Sequence, residues 1–211
     1  MEFLKNVKWF SQGALKFDFQ GKKIYTDPFD IDSNYNDADY IFLTHPHFDH
    51  ISPENIDKVI KDKTEFIVAE SIADEIKQYS HHKITKVNSG DKMDFVDFKI
   101  EVVPAYNIVK TQCHAKENGW VGYVFKFGDV TVYYTSDTEY IPEMENIKTD
   151  IIFLPLGQTY TMECVEDAVK AVKATNAKVA VPIHFGKFEG TEEDAVKFEA
   201  LAGEFAEVVR L

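Results

Sequence analysis

The stretch that decides the fold reads "LTHPHFDH" and spans residues 43–50. It follows the apolar run "ADYIFLT" (38–44), which predicts a buried strand. Alternate residues of a strand point to the same face, so His45 and His47 are expected to converge on one metal ion.

Pro46 ends this strand, because proline cannot donate to the hydrogen-bond ladder of a sheet. The chain must then leave the sheet as a loop, from which Asp49 and His50 reach a second, adjacent position. Imidazole and carboxylate groups suit zinc, manganese or iron, and their softness does not choose among these metals. The alternative, a turn whose exposed histidines have no function, fits poorly with a cluster directly after a buried strand.

Two later strands also end next to a residue type that binds metals. Asp137 follows the predicted strand 130–134, and His184 follows the predicted strand 178–183. A lone Asp or His at such a place is usually structural or simply exposed. Together with the first cluster, their positions at strand ends predict that both are metal ligands.

Composition limits the class of protein. The chain has 211 residues, a formal net charge of −13 and a pI near 4.9. Such an acidic surface disfavours nucleic acid as a partner, whereas a small anionic substrate is compatible with a metal site. Cys113 and Cys164 are predicted to be reduced thiols of a cytoplasmic protein. We expect neither a signal peptide nor a membrane span, and a homo-oligomer is left open.

The order of the predicted elements indicates the architecture. A β-rich stretch is followed by helices, a second β-rich stretch and alternating strands and helices, which predicts an α/β (α+β) protein. Two mixed sheets face to face with helices outside would form a single domain, residues 1–211. The pattern places one helix over residues 71–79 and another over residues 162–175.

The motifs together resemble the metallo-β-lactamase superfamily of metal-dependent hydrolases. The resemblance is carried by "HxHxDH" at 45–50, a strand-end Asp and the late "PIHF". "TDPF", "SDTEYIPEM", "LPLGQTYTM" and "PIHFG", in this order, resemble the branch related to ascorbate-6-phosphate lactonase. The resemblance runs from about Val7 to Gly186 and implies a four-layer αββα sandwich with a dinuclear site on one edge.

The resemblance also implies which residues bind which ion. The first ion would have His45 and His47, the second Asp49, His50 and His184, and Asp137 would bridge the two. One position departs from the family pattern, because Asn107 in "PAYN" stands where a histidine is expected.

His114, seven residues beyond Asn107, is the candidate substitute ligand, and an exposed loop histidine is the alternative. Cys113 beside it is a softer candidate. If His114 does not bind, the protein would hold one metal firmly rather than two.

The expected chemistry is hydrolysis of an ester, lactone or phosphodiester of a small anionic molecule. Two divalent ions, zinc or manganese, about 3.5–4 Å apart would share a hydroxide and lower its pKa toward about 7. Asp49 is the expected proton acceptor or orienter of this nucleophile.

Several residues are candidates for supporting roles. Asp27 is predicted to accept a ring N–H from a ligand histidine, and Asn107 is placed with it as a supporting residue. Tyr160 and Thr161, ahead of a helix N-terminus, and Lys187 are candidates for substrate contact. Turn formation, helix capping and simple exposure are the alternatives for these residues.

Three functions are alternatives to this hydrolysis. The first is a metal-binding sensor or regulatory protein with a degraded site and no hydrolytic turnover, which the Asn107 departure keeps open. The second is a nuclease of the same superfamily, which the acidic charge disfavours. The third is a diiron redox protein, for which extra carboxylate ligands and a flavin partner are not indicated.

Overall fold

Each half of the chain builds one mixed β-sheet. The computed structural model describes residues 2–211, which fall into two compact units, Met1–Asn88 and Ser89–Leu211. We call them the N-terminal unit and the C-terminal unit. Helices and strands both occur in each unit, which confirms the predicted α/β class.

The N-terminal unit contains a six-stranded sheet with strands in sequence order. Its strands are β1 (Val7–Ser11), β2 (Ala14–Phe19), β3 (Lys22–Thr26), β4 (Tyr40–Leu43), β5 (Glu65–Ala69) and β6 (Lys83–Val87). Strands β1 to β3 are antiparallel, and β3 to β6 are parallel. Helix α1 (Pro53–Val59) lies between β4 and β5 and starts after Ser52.

The central strand β4 delivers the histidine cluster. Its residues Ile41, Phe42 and Leu43 are fully buried, which is typical of a parallel strand inside a sheet. Strand β3 runs parallel to β4, so their carboxyl ends lie side by side. The residues that follow, Asp27 and Thr44, are hydrogen-bonded to each other.

The C-terminal unit contains a seven-stranded sheet in the order β13-β12-β11-β10-β9-β8-β7. Its strands are β7 (Lys92–Asp94), β8 (Lys99–Pro104), β9 (Val121–Phe127), β10 (Val130–Tyr134), β11 (Ile151–Pro155), β12 (Val179–Ile183) and β13 (Glu207–Val208). Strands β7 to β10 are antiparallel, and β10 to β13 are parallel. Helices α2 (Val165–Thr175) and α3 (Glu192–Ala202) follow β11 and β12.

The predicted helix over residues 71–79 is present, and it is of the 3-10 type. The segment Glu70–Tyr79 is a 3-10 helix, interrupted by non-helical backbone at Ile76. Its buried residues are Ile72, Ala73, Ile76 and Tyr79, and the last three are spaced by three residues, as in the turn of a 3-10 helix.

The predicted helix over residues 162–175 starts later than expected. Helix α2 begins at Val165, because Cys164 has extended backbone and acts as its N-cap. Tyr160 and Thr161 therefore do not lie at its first turn. Cys113 and Cys164 are free thiols, as predicted. Among residues 2–211, every helix is too short or too polar to cross a bilayer.

Candidate metal centre

Asp27 organises the donor group of the N-terminal unit. It is fully buried and has a φ of 39°, a strained conformation for a residue with a side chain. Its Oδ1 accepts the Thr44 backbone N–H at 3.0 Å, and its Oδ2 accepts the Thr44 hydroxyl at 2.6 Å. The same Oδ2 lies 2.9 Å from Nδ1 of His50. The predicted contact of Asp27 with a ring nitrogen of the cluster is therefore present.

These contacts define which ring nitrogens carry protons. A carboxylate only accepts, so Nδ1 of His50 carries the proton and Nε2 keeps its lone pair. The Thr44 hydroxyl gives its one hydrogen to Asp27, so it accepts from Nδ1 of His45 at 2.9 Å. His45 therefore also keeps a lone pair on Nε2.

The other two residues of the motif lie close to these lone pairs. Nδ1 of His47 is 3.1 Å from Nε2 of His45. Asp49 is buried, and its Oδ2 is 3.9 Å from Nε2 of His50. The same oxygen is 3.4 Å from Nε2 of Gln12, a buried residue that the sequence reading missed. Gln12 lies in the β1–β2 turn with a φ of 47°, and no motif signals it.

In the C-terminal unit, the loops after two strands bring Asp137 and His184 together. Asp137 follows β10 through Ser136, which has a φ of 59°, and His184 directly follows β12 with a φ of 54°. Nε2 of His184 is 3.1 Å from Oδ2 of Asp137. Both residues are buried. The backbone is strained at His184 itself and at Ser136, the residue before Asp137, as is common at functional sites.

His114 joins this group. Its Nε2 is 3.6 Å from Oδ2 of Asp137, and its side chain is buried, so the reading as an exposed loop histidine is wrong. Asn107 holds it: the Asn107 backbone N–H donates to the His114 carbonyl at 2.7 Å, and its Nδ2 lies 3.4 Å from Nδ1 of His114. Cys113 belongs to none of the donor groups found among residues 2–211.

Glu139 fixes the loop that leads to His114. This buried carboxylate accepts three successive backbone N–H groups, those of residues 108–110, at 2.7, 2.7 and 2.9 Å. The sequence reading missed Glu139, although it stands only two residues after Asp137. Its partners are about thirty residues away in the chain, so no local pattern reveals them.

Glu189 is the third residue that the sequence reading missed. Its Oε1 is 3.0 Å from Nδ1 of His184, and the carboxylate is buried. Burial alone would raise the pKa of Glu189, but its hydrogen bond to His184, the charge of that ring and the Tyr160 N–H together hold the pKa below its ordinary value.

The residues predicted to contact substrate have different surroundings. Thr161 is fully buried, and its N–H and hydroxyl both donate to Glu189, so these donors are already used within the protein. The side chain of Tyr160 is exposed, and Lys187 is exposed in the loop after His184.

A divalent metal fits both donor groups. With its Nδ1 proton directed at Glu189, a neutral His184 ring has its lone pair on Nε2, which is 3.1 Å from Oδ2 of Asp137. Two buried acceptors at this distance repel each other unless a cation or a proton lies between them. Imidazole and carboxylate donors of this kind are those of zinc, manganese and iron sites.

The fold and these donors are those of a metallo-hydrolase, and comparison with known proteins identifies the family. Residues 6–184 match the family described as "Beta-lactamase superfamily domain". A UPF0173 metal-dependent hydrolase from Thermoplasma acidophilum is 30% identical, over 95% of this chain and 92% of that protein. Another, from Staphylococcus saprophyticus, is 28% identical, over 92% of this chain and 91% of that protein.

Solved structures agree. A metal-dependent hydrolase from Parabacteroides distasonis matches with a TM-score of 0.82 and 32% identity, covering 97% of this chain and 91% of that one. The chain therefore belongs to the β-lactamase superfamily. The predicted resemblance, the metallo-β-lactamase fold and the class of metal-dependent hydrolase are confirmed.

Proposed function

We propose that the protein hydrolyses an ester, lactone or phosphodiester bond of a small anionic molecule with two divalent ions, zinc or manganese. The proposed ligands are His45, His47, Asp49, His50, His114, Asp137 and His184. We also place the protein in the cytoplasm, because its two cysteines are free thiols.

One observation carries this proposal. Nε2 of His184 lies 3.1 Å from a carboxylate oxygen of Asp137, and Nε2 of His114 lies 3.6 Å from the same oxygen. Two imidazole nitrogens and a carboxylate oxygen that converge in a buried place are a donor set that suits a divalent cation. The position of His114 supports it as the substitute for the missing histidine, and so argues against a degraded site.

The roles of the protein groups follow from their contacts. A bound divalent cation lowers the pKa of water and polarises the bond to be cleaved. Asp49 is the proposed proton acceptor, held by Gln12 and next to Nε2 of His50. Asp27 orients His50 and, through Thr44, His45.

A substrate panel tests the proposal. Protein purified without chelator should hydrolyse at least one member of a set of anionic lactones, esters and phosphodiesters when supplied with Zn²⁺ or Mn²⁺. Activity should disappear with a chelator and return with the metal. The absence of turnover on the whole panel after reconstitution, with metal bound, would instead support the sensor or regulatory role.

The variant His114→Ala tests whether His114 helps to hold a second metal ion. We expect this variant to bind less metal than the wild-type protein, because a buried donor beside Asp137 is lost. An unchanged metal content would remove His114 from the ligand set.

A further inference from the structure

We propose that Glu189 is a positioning residue that fixes the His184 ring with its proton on Nδ1, and so keeps Nε2 available as a metal donor. The inference rests on the ligand role proposed for His184. Family membership does not assign a role to Glu189, and neither does any motif of the sequence.

The local chain geometry brings Glu189 back to the histidine that it supports. The loop after His184 turns tightly, because the N–H of Gly186 donates to the Glu189 carbonyl at 3.0 Å. Gly186 has a φ of 83° and Gly190 a φ of 64°, conformations that favour glycine. A Cβ at Gly190 would also lie 2.5 Å from the Leu156 carbonyl oxygen, so this turn has little freedom to rearrange.

The two oxygens of Glu189 have different tasks. Oε2 accepts three successive backbone N–H groups, those of residues 159–161, at 3.1, 2.7 and 3.2 Å. Oε1 accepts the Thr161 hydroxyl at 2.9 Å and faces Nδ1 of His184 at 3.0 Å. The carboxylate can neither rotate nor withdraw without leaving buried N–H groups without acceptors.

Close packing holds the carboxylate in this place. Gly157 lies against it, and a Cβ on Gly157 would come within 1.7 Å of Cδ of Glu189. The geometry therefore admits one orientation in which Oε1 meets the His184 ring, and in that orientation the ring must be the donor.

Glu189→Gln should reverse the direction of the hydrogen bond to His184, because it replaces the carboxylate with an amide of nearly the same size. The amide oxygen must take the position of Oε2, because three N–H groups converge there. The NH₂ group then faces Nδ1 of His184, which becomes an acceptor, and the ring proton moves to Nε2. That N–H would donate to Asp137 at 3.1 Å and close the metal position from within.

Glu139→Gln is the matched control. Glu139 is also a buried carboxylate of the C-terminal unit that accepts three successive backbone N–H groups, and its hydrogen bonds go to residues 108–110. The same chemical change there should leave the tautomer of His184 as it is in the wild-type protein.

The experiment reads the tautomer directly. In metal-free wild-type protein, ¹⁵N NMR should show a proton on Nδ1 of His184, and Glu189→Gln should show Nδ1 without a proton, with Glu139→Gln like wild type. Titration with Zn²⁺ alone should show about 10- to 100-fold weaker binding for Glu189→Gln, the usual effect of losing an orienting carboxylate.

A wild-type His184 ring without a proton on Nδ1 would overturn the inference, even if Glu189→Gln fails to fold. Unchanged tautomer and Zn²⁺ affinity in a folded Glu189→Gln would overturn it as well. Neither measurement requires a substrate, so a failure of the proposed hydrolytic function on the substrate panel is distinguishable from a failure of this inference.

Discussion

The donor groups of the two units are built in opposite ways. In the N-terminal unit, four donors lie within residues 45–50, and one buried carboxylate, Asp27, orients two of the rings directly or through Thr44. In the C-terminal unit, the donors His114, Asp137 and His184 come from three distant points of the chain.

The buried carboxylates that hold the donors in place also differ between the two units. Asp27 is next to the cluster because β3 and β4 are adjacent parallel strands. Glu139 and Glu189 instead each fix a separate loop through three backbone N–H groups. A compact motif thus needs one anchor, whereas a dispersed donor group needs an anchor for each loop that brings a donor to it.

The largest effect on hydrolysis should come from a substitution of Asp137, which both other donors of the C-terminal unit face. Asp137→Asn removes the charge that both His114 and His184 face, and we expect hydrolysis to fall by about 10³-fold or more. Steady-state rates with Zn²⁺ or Mn²⁺ measure the loss. A folded variant with nearly wild-type activity would show that the C-terminal group is not part of the active site.

A smaller effect is expected from the single anchor of the compact group. Asp27→Asn should weaken metal binding by about 10- to 100-fold, because an amide has only one acceptor atom. Either the Thr44 N–H at Oδ1, or the Thr44 hydroxyl and His50 at Oδ2, would then face an NH₂ group. Titration with Zn²⁺ measures it.

The control for Asp27→Asn is Asp37→Asn in the same unit. Asp37 accepts from Tyr25 and Lys16 and contacts neither the cluster nor Thr44 in its hydrogen bonds. Equal metal affinities of the two variants would contradict the role of Asp27 as the anchor.

The smallest effect should come from Asp150, at the opposite end of the C-terminal sheet from the donors. The hydrogen bond from Lys178, and then that from the Thr131 N–H, lowers the pKa of Asp150 below its ordinary value. A lowered folded-state pKa means stability that is present above the unfolded-state pKa of about 3.9 and is lost as the pH falls toward the folded value.

Asp150→Asn should therefore show a shallower loss of stability than wild type between about pH 5 and 3, while its activity at pH 7 stays near wild type. Urea unfolding at several pH values measures the slope. Parallel curves for the two proteins would show that Asp150 does not contribute through its charge.

The proximity of the residues in the compact group could be predicted from the sequence, and that of the dispersed group in part. Local geometry explains the success: a buried strand, a proline and closely spaced histidines need no information from elsewhere in the chain. The strand-end positions of Asp137 and His184 were also readable, because parallel strands end at one edge of a sheet.

Three features could not be read from local patterns. Glu189 meets residues 159–161 only because strands β11 and β12 are neighbours, so their following loops lie together. The late start of α2 follows from extended backbone at Cys164, which residue propensity does not reveal. The 3-10 type of the helix at Glu70–Tyr79 could not be predicted, because its apolar residues fit the periods of both helix types over so short a length.

The most direct test of the account is the metal content of protein purified without chelator, compared with His45→Ala and His184→Ala. We predict about two equivalents of zinc or manganese for the wild-type protein and a lower content in each folded variant, because the proposed ligands come from both donor groups. Wild-type protein that binds no metal after reconstitution, or variants that keep the full wild-type content, would contradict it.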